Sequence, residues 1–233
     1  MDEDRLLSLR RAMYSGDPAS MVTAVIEHGF VPSVQLAGDV VRQALSADAA
    51  GSQDLADRCA SFLVERGWEG DPELADALRG TGTGLNGQPL VDLPIDLEDL
   101  YEILEGDPLY GGGRVDLRTG EVWPQSTFDE GTLEDDDEDE DPDRWLSVWC
   151  EGSSDGYRDM ADFADSCTDQ LLLDKLNVAL NGRGAFRRFR DVLLDHPAER
   201  ADWFAFSDDR RRGRARAWLA DAGYRAVFRP IGV

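Results

Sequence analysis

The chain has 233 residues, 42% of them apolar with six Trp and nine Phe, enough to bury a sizeable core in one large domain or two modest ones. Its 48 acidic and 24 basic side chains leave a formal net charge of -24, which repels polyphosphates and anionic lipid and argues against a generic nucleic-acid or membrane-surface binder. Three cysteines, Cys59, Cys150 and Cys167, form no CxxC and have no histidine cluster nearby, a pattern of buried thiols in a reducing cytoplasm rather than of a disulfide framework or zinc site.

The acidic start, Met1 to Arg5, leads into no secretory apolar core, and no run reaches the length of a membrane span, so a cytoplasmic protein is expected. Residues 3–78 read as helices, with Leu6, Leu7, Leu9 and Met13 and then Met21, Val22, Val25 and Ile26 at helical spacing. A weak repeat relates Ala24-Val-Ile-Glu-His-Gly-Phe30 to Phe62-Leu-Val-Glu-Arg-Gly-Trp68. Each copy is followed by a helix started by proline, Pro32 to Leu45 and Pro72 to Leu78. The unit is a helical hairpin used twice, and two copies are too few to stand as a solenoid, so the pair should pack on the rest of the chain.

A glycine-rich segment, Gly80 to Gly87, marks a linker over residues 81–94 between a helical repeat-like domain, 1–80, and an α+β domain, 95–233. In the second domain a short helix is expected from Asp96 to Glu105, its acidic first turn suited to the helix dipole. A β-hairpin should follow at residues 113–117 and 121–123, turning through Gly120, and a strand from Trp145 to Cys150. Between them Glu134 to Asp141 is a run of eight acids, read as a disordered acidic loop over residues 129–143. Helices are expected at about 157–166, 168–181, 184–195, 197–205 and 207–222, and Tyr224 to Arg229 alternates as a returning edge strand. The fold class is α+β, mainly helical: an N-terminal helical-hairpin pair followed by an α+β domain with a small antiparallel sheet.

Charge is segregated along the chain, since residues 175–233 carry 13 basic and 7 acidic side chains and residues 1–174 hold the rest of the acid. Two basic stretches are candidate sites. In a helix over 184–194, Ala185, Phe186, Phe189, Val192 and Leu193 form an apolar arc, with both Phe in the core. Arg187, Arg190 and Asp191 then lie opposite and Arg188 on the flank. Arg183 at the helix start, with Arg187, could hold a phosphate or carboxylate, and Arg183, Arg187, Arg188 and Arg190 form the candidate partner- or anion-binding set. The plainer reading is a solvated face with an Arg187–Asp191 pair and two glycines that allow a tight interhelix turn.

Arg210 to Arg216 looks more like a nucleic-acid patch, but Ser207, Asp208 and Asp209 read as an N-cap and first turn. Ala215, Trp218, Leu219 and Ala222 would supply the buried stripe. Arg211 falls near that stripe and should cover Trp218 or meet an acid from another element. Gly82 to Gly87 satisfies GxGxxG but follows a helix and runs into prolines, so no dinucleotide site is expected. His28 and His196 stand far apart at helix ends, the acidic run lacks the spaced ligands of a calcium loop, and no catalytic, metal or cofactor site is expected.

The run Gly182-Arg-Gly-Ala-Phe-Arg-Arg-Phe-Arg-Asp-Val-Leu193, with Trp203-Phe-Ala-Phe206, Trp218-Leu219, Val115 to Val122 and Met160 to Phe163, resembles uncharacterised protein family 0158. The family is bacterial, and the likeness covers roughly residues 95–225. The resemblance implies neither an activity nor a site. The expected function is a non-enzymatic protein-interaction or regulatory module whose partner is another protein, with no membrane role. The alternatives are a phosphate-ligand or nucleic-acid binder masked by the acidic loop, or a hydrolase working through carboxylates.

Overall fold

A computed structural model describes residues 2–84, 87–107, 109, 111–129, 141 and 143–228. The acidic loop expected at 129–143 falls mostly outside the described residues, as does Arg229. Five helices come first: α1 (Asp2–Ser15), α2 (Pro18–His28), α3 (Val34–Ser46), α4 (Ser52–Arg66) and α5 (Asp71–Leu78). They pack in sequence, each on the next. Their apolar faces close one core around Leu9, Met21, Val25, Leu36, Val40 and Leu63.

The repeat is visible in how its two copies end. Gly29 and Gly67, at the same repeat position, have φ of 69° and 65° and donate their N–H groups to Val25 and Leu63, closing α2 and α4 in the same way. The proline-started second helix is found once only: Pro72 lies in the first turn of α5, whereas Pro32 precedes α3, whose first residue is Val34.

The remainder is α+β. Strand β1 (Val91–Pro94) leads to α6 (Leu97–Leu104), whose N-cap Asp96 accepts the Glu98 N–H at 2.8 Å. Strands β2 (Gly113–Asp116) and β3 (Val122–Pro124) form the expected hairpin, and after α7 (Gln125–Asp129) β4 (Trp145–Val148) joins it in an antiparallel sheet of order β3-β2-β4. Helices α8 (Ser154–Ser166), α9 (Gln170–Leu180) and α10 (Ala185–Leu193) follow. The chain then runs through α11 (Pro197–Asp221) into β5 (Tyr224–Val227). The expected returning strand therefore exists, but it pairs parallel with β1, Val91 opposite Tyr224 and Leu93 opposite Ala226. Its partner lies inside the stretch expected to be linker.

One helix replaces the two expected at 197–205 and 207–222. Ser207, Asp208 and Asp209 do not start a new helix, because both carboxylates are engaged away from the α11 backbone, Asp208 with Arg212 further along the helix and Asp209 with Arg66 of α4 and the Gln35 N–H in the first turn of α3. The resulting 25-residue α11 threads the molecule. Its first half places Trp203 in an aromatic core with Phe163 and Phe189, ring centroids 4.9 to 5.3 Å from Trp203. Its second half places Ala215 and Leu219 among Leu93, Leu100, Val115 and Val148. On the way it packs against α1, α3 and α5 of the N-terminal helices as well as α6, α8 and α10.

Candidate functional site

The first candidate, the arginine row of α11, is spent inside the fold. Arg210 pairs with Asp159 of α8 at 3.0 Å and Asp162 at 3.3 Å, its guanidinium 5.0 Å from the Trp68 ring centroid. Arg211 meets Glu105 at 3.0 Å and Glu102 at 3.2 Å and lies 3.9 Å from the centroid of the Tyr101 ring, so it meets acids of another element as its wheel position suggested. Arg212 is buried between Asp208 and Glu98, 2.9 Å from each. Burial alone would lower its pKa, but Asp208, Tyr101 and Glu98 outweigh that and hold it above the usual value. Arg214 bridges Asp159 and Glu105, and Arg216 forks onto Asp39 of α3 at 2.8 and 2.9 Å.

The same helix face ties down the N-terminal helices through an acid. Asp209, fully buried, accepts the Gln35 N–H at 2.6 Å and Arg66 at 2.5 Å. Arg66 also forks onto buried Asp71 at 2.6 and 2.8 Å. One guanidinium thus serves two buried carboxylates. Burial pushes the Asp209 carboxyl up to about 6, with Arg66 opposing the rise and Asp71 adding to it. These charges are arranged for cohesion and present little to a ligand.

Acids do line one cleft, between α6, α11 and the α4–α5 turn, where Glu69, Glu105, Glu151 and Asp155 face Arg211 and Arg214. Its volume is about 100 Å³, well below the roughly 300 Å³ of the smallest ordinary ligand pockets, and Glu105 is already held by both arginines. Among the described residues no group of three or more His, Cys, Asp or Glu side chains is set to hold a metal ion. Of the thiols expected to be buried, only Cys59 is, and burial pushes it up to about 12; Cys150 and Cys167 are partly exposed.

The second candidate lies on α9 and α10. Asp169 caps α9 by accepting the Leu171 N–H at 2.9 Å. Gly182 and Gly184, with φ of 84° and 75°, make the tight turn into α10. Arg188, proposed from the sequence as part of an anion-binding set, turns back onto that turn instead. It donates to the carbonyls of Ala179 at 3.1 Å, Asn181 at 2.6 Å, Gly182 at 3.2 Å and Arg183. A cation here satisfies the unpaired carbonyls at the end of α9 and complements its dipole. The Gly-Arg-Gly-Ala-Phe-Arg-Arg-Phe run therefore has a structural cause.

Phe189 is fully buried as expected, but Phe186 is 41% exposed, its ring lying over Gly156 of α8. Arg183, Arg187 and Arg190 stand exposed, and Arg187 makes a solvent-facing contact to Asp191, 3.8 Å away. An open groove of about 590 Å³, lined by Arg188, runs between the two helices, walled by Leu171, Lys175 and Val178 of α9 and Asp191 and Val192 of α10. Leu171 is 65% and Val178 71% exposed. Sequence reasoning placed the α9 helix and overlooked this face. The signal was present, since Leu-Leu-Leu-Asp-Lys-Leu-Asn-Val-Ala-Leu is apolar on more of its circumference than one core can cover.

Residues 125–230 match Uncharacterised protein family (UPF0158). The match starts further along the chain than the resemblance drawn at residue 95 and takes in less than half of the chain, while including α8 to α11 and the groove. No curated protein and no solved structure matches the chain. Among the described residues no helix is long and apolar enough to cross a membrane.

Proposed function

We propose that this protein is a non-enzymatic interaction module of the cytoplasm that takes a protein partner on the face formed by α9 and α10. The observation that carries the reading is the groove itself, which sets the mostly exposed Leu171 and Val178 of α9 along one wall and Val192 of α10 along the other. The α11 arginines support it from the other side, because their internal pairing withdraws the largest cation cluster from the surface. Arg183, Arg187 and Arg190 remain exposed on the α9–α10 turn and α10, while Arg188 shapes that turn and lines the groove.

A benzophenone photo-crosslinker placed at Val178, in the cells that make this protein, is expected to give a discrete higher-mass protein adduct. The same group placed at Glu65, exposed on α4, is expected to give none. Absence of an adduct from position 178, or equal adducts from both positions, contradicts the reading.

A further inference from the structure

We infer that the occupant of the α9 face is a second copy of this chain, docked with its own α9 antiparallel to the first; the inference rests on the α9–α10 face being an interaction surface. On α9 the residues Leu172, Leu176 and Ala179 point into the core. The opposite side carries Leu171, Asp174, Lys175 and Val178, at i, i+3, i+4 and i+7, which is one continuous helical stripe. That stripe reads apolar, acid, base, apolar.

Two-fold assembly demands a surface that complements itself, so that whatever one residue meets on the partner must meet it in return. A two-fold axis passing between positions 174 and 175 places Leu171 against Val178 and Asp174 against Lys175, each contact occurring twice. A parallel pairing would instead set Asp174 against Asp174 and Lys175 against Lys175, which like-charge repulsion opposes. The stripe thus selects the antiparallel arrangement by its charge order alone.

Three further features suit a second copy. Gln170 donates to the Asp174 carboxylate at 2.9 Å, holding it on the stripe. Val192 and Asp191 of α10 wall the other side of the groove, so an incoming helix lies between two helices rather than on one. The charged groups of the groove, Asp174, Lys175, Arg188 and Asp191, cancel locally on a chain whose net charge is -24, so this is a place where two copies can approach without bringing their excess acid together. One short helix and a groove wall form a small interface, which points to a weak, reversible dimer in concentrated solution.

Analytical ultracentrifugation of the full chain over a wide concentration series, at about 0.15 M salt to screen the general repulsion, tests this. The wild type is expected to shift from monomer toward dimer. Asp174→Lys and Lys175→Asp each set like charges opposite one another twice and are expected to weaken association by about tenfold or more. The double variant D174K/K175D restores both ion pairs in mirrored order and is expected to recover association, with thermal melts confirming that all three variants fold. A wild type that stays monomeric, or a double variant no better than the singles, overturns the inference. A monomeric wild type whose Val178 crosslinker still captures a different protein would remove the second copy while leaving the interaction reading in place.

Discussion

Replacing Gly213 with alanine is expected to destabilise the protein by about 3 kcal/mol, against the usual sign for that substitution in a helix. Helix propensity alone favours alanine by about 1 kcal/mol at an interior position. Here a Cβ would stand 2.2 Å from the Glu69 carbonyl oxygen, and a Cβ on Gly70 would stand 2.2 Å from the Gly213 carbonyl oxygen. Two backbones touch through two glycines, and no rotamer change can relieve a clash with main chain. Alanine would force α11 away from the α4–α5 turn, stretching the Arg66–Asp209 and Arg216–Asp39 contacts that flank it. The clash and the strained pairs outweigh the propensity gain. A urea titration measures the shift in midpoint, and a Gly213→Ala variant as stable as the wild type would show that this close approach does not exist.

Arg212→Met is expected to cost about 3–5 kcal/mol, because a buried ion pair broken from one side leaves charge without compensation. Methionine keeps most of the volume, so the loss reports charge rather than a cavity. Asp208 would keep the Tyr101 hydroxyl at 3.0 Å and Arg10 at 3.5 Å, and Glu98 would keep Arg10 at 2.9 Å, which places the expected value toward the lower end of that range. By contrast, Arg187→Ala removes an exposed pair with 84% and 59% of its side chains in solvent, and should change stability by no more than about 0.5 kcal/mol. Denaturant unfolding of the two variants side by side separates a structural arginine from a surface one. Equal losses would mean that the α11 row is not the internal bracket described above.

Most of the helices were legible in the sequence because their signals are local. Proline and Asp17 announce α2, Asp96 announces α6, and the 3.6-residue recurrence of Leu and Val carries α3 and α4. What escaped is non-local. Strand β1 is four residues with an aspartate and a proline, and its partner lies more than a hundred residues away, so only tertiary pairing makes it a strand. Asp208 and Asp209 carry the composition of an N-cap, and the cations that recruit them into a continuous helix come from Arg66 and Arg212.

The arginine row shows the same limit more sharply. Its acidic partners sit 48 to 177 residues away in sequence wherever they lie on other elements, from Asp162 to Asp39, so a window over residues 210–216 displays a basic patch where the fold has a neutralised one. The α9 stripe was missed for the opposite reason. Leu171 and Val178 look like core residues in any helix, and only the packing of Leu172, Leu176 and Ala179 inward reveals that they face out.

Hydrogen exchange of the native chain, followed peptide by peptide across α3, α4 and α11, measures whether α11 binds the N-terminal helices and the α+β part into one cooperative unit. If the charge network of Arg66, Asp209, Arg212 and Arg216 spans them as described, these three helices open together with the highest free energy in the molecule. Persistent protection of α3 and α4 after α11 has exchanged would show two independently stable parts, and the role given to the arginine row would be wrong.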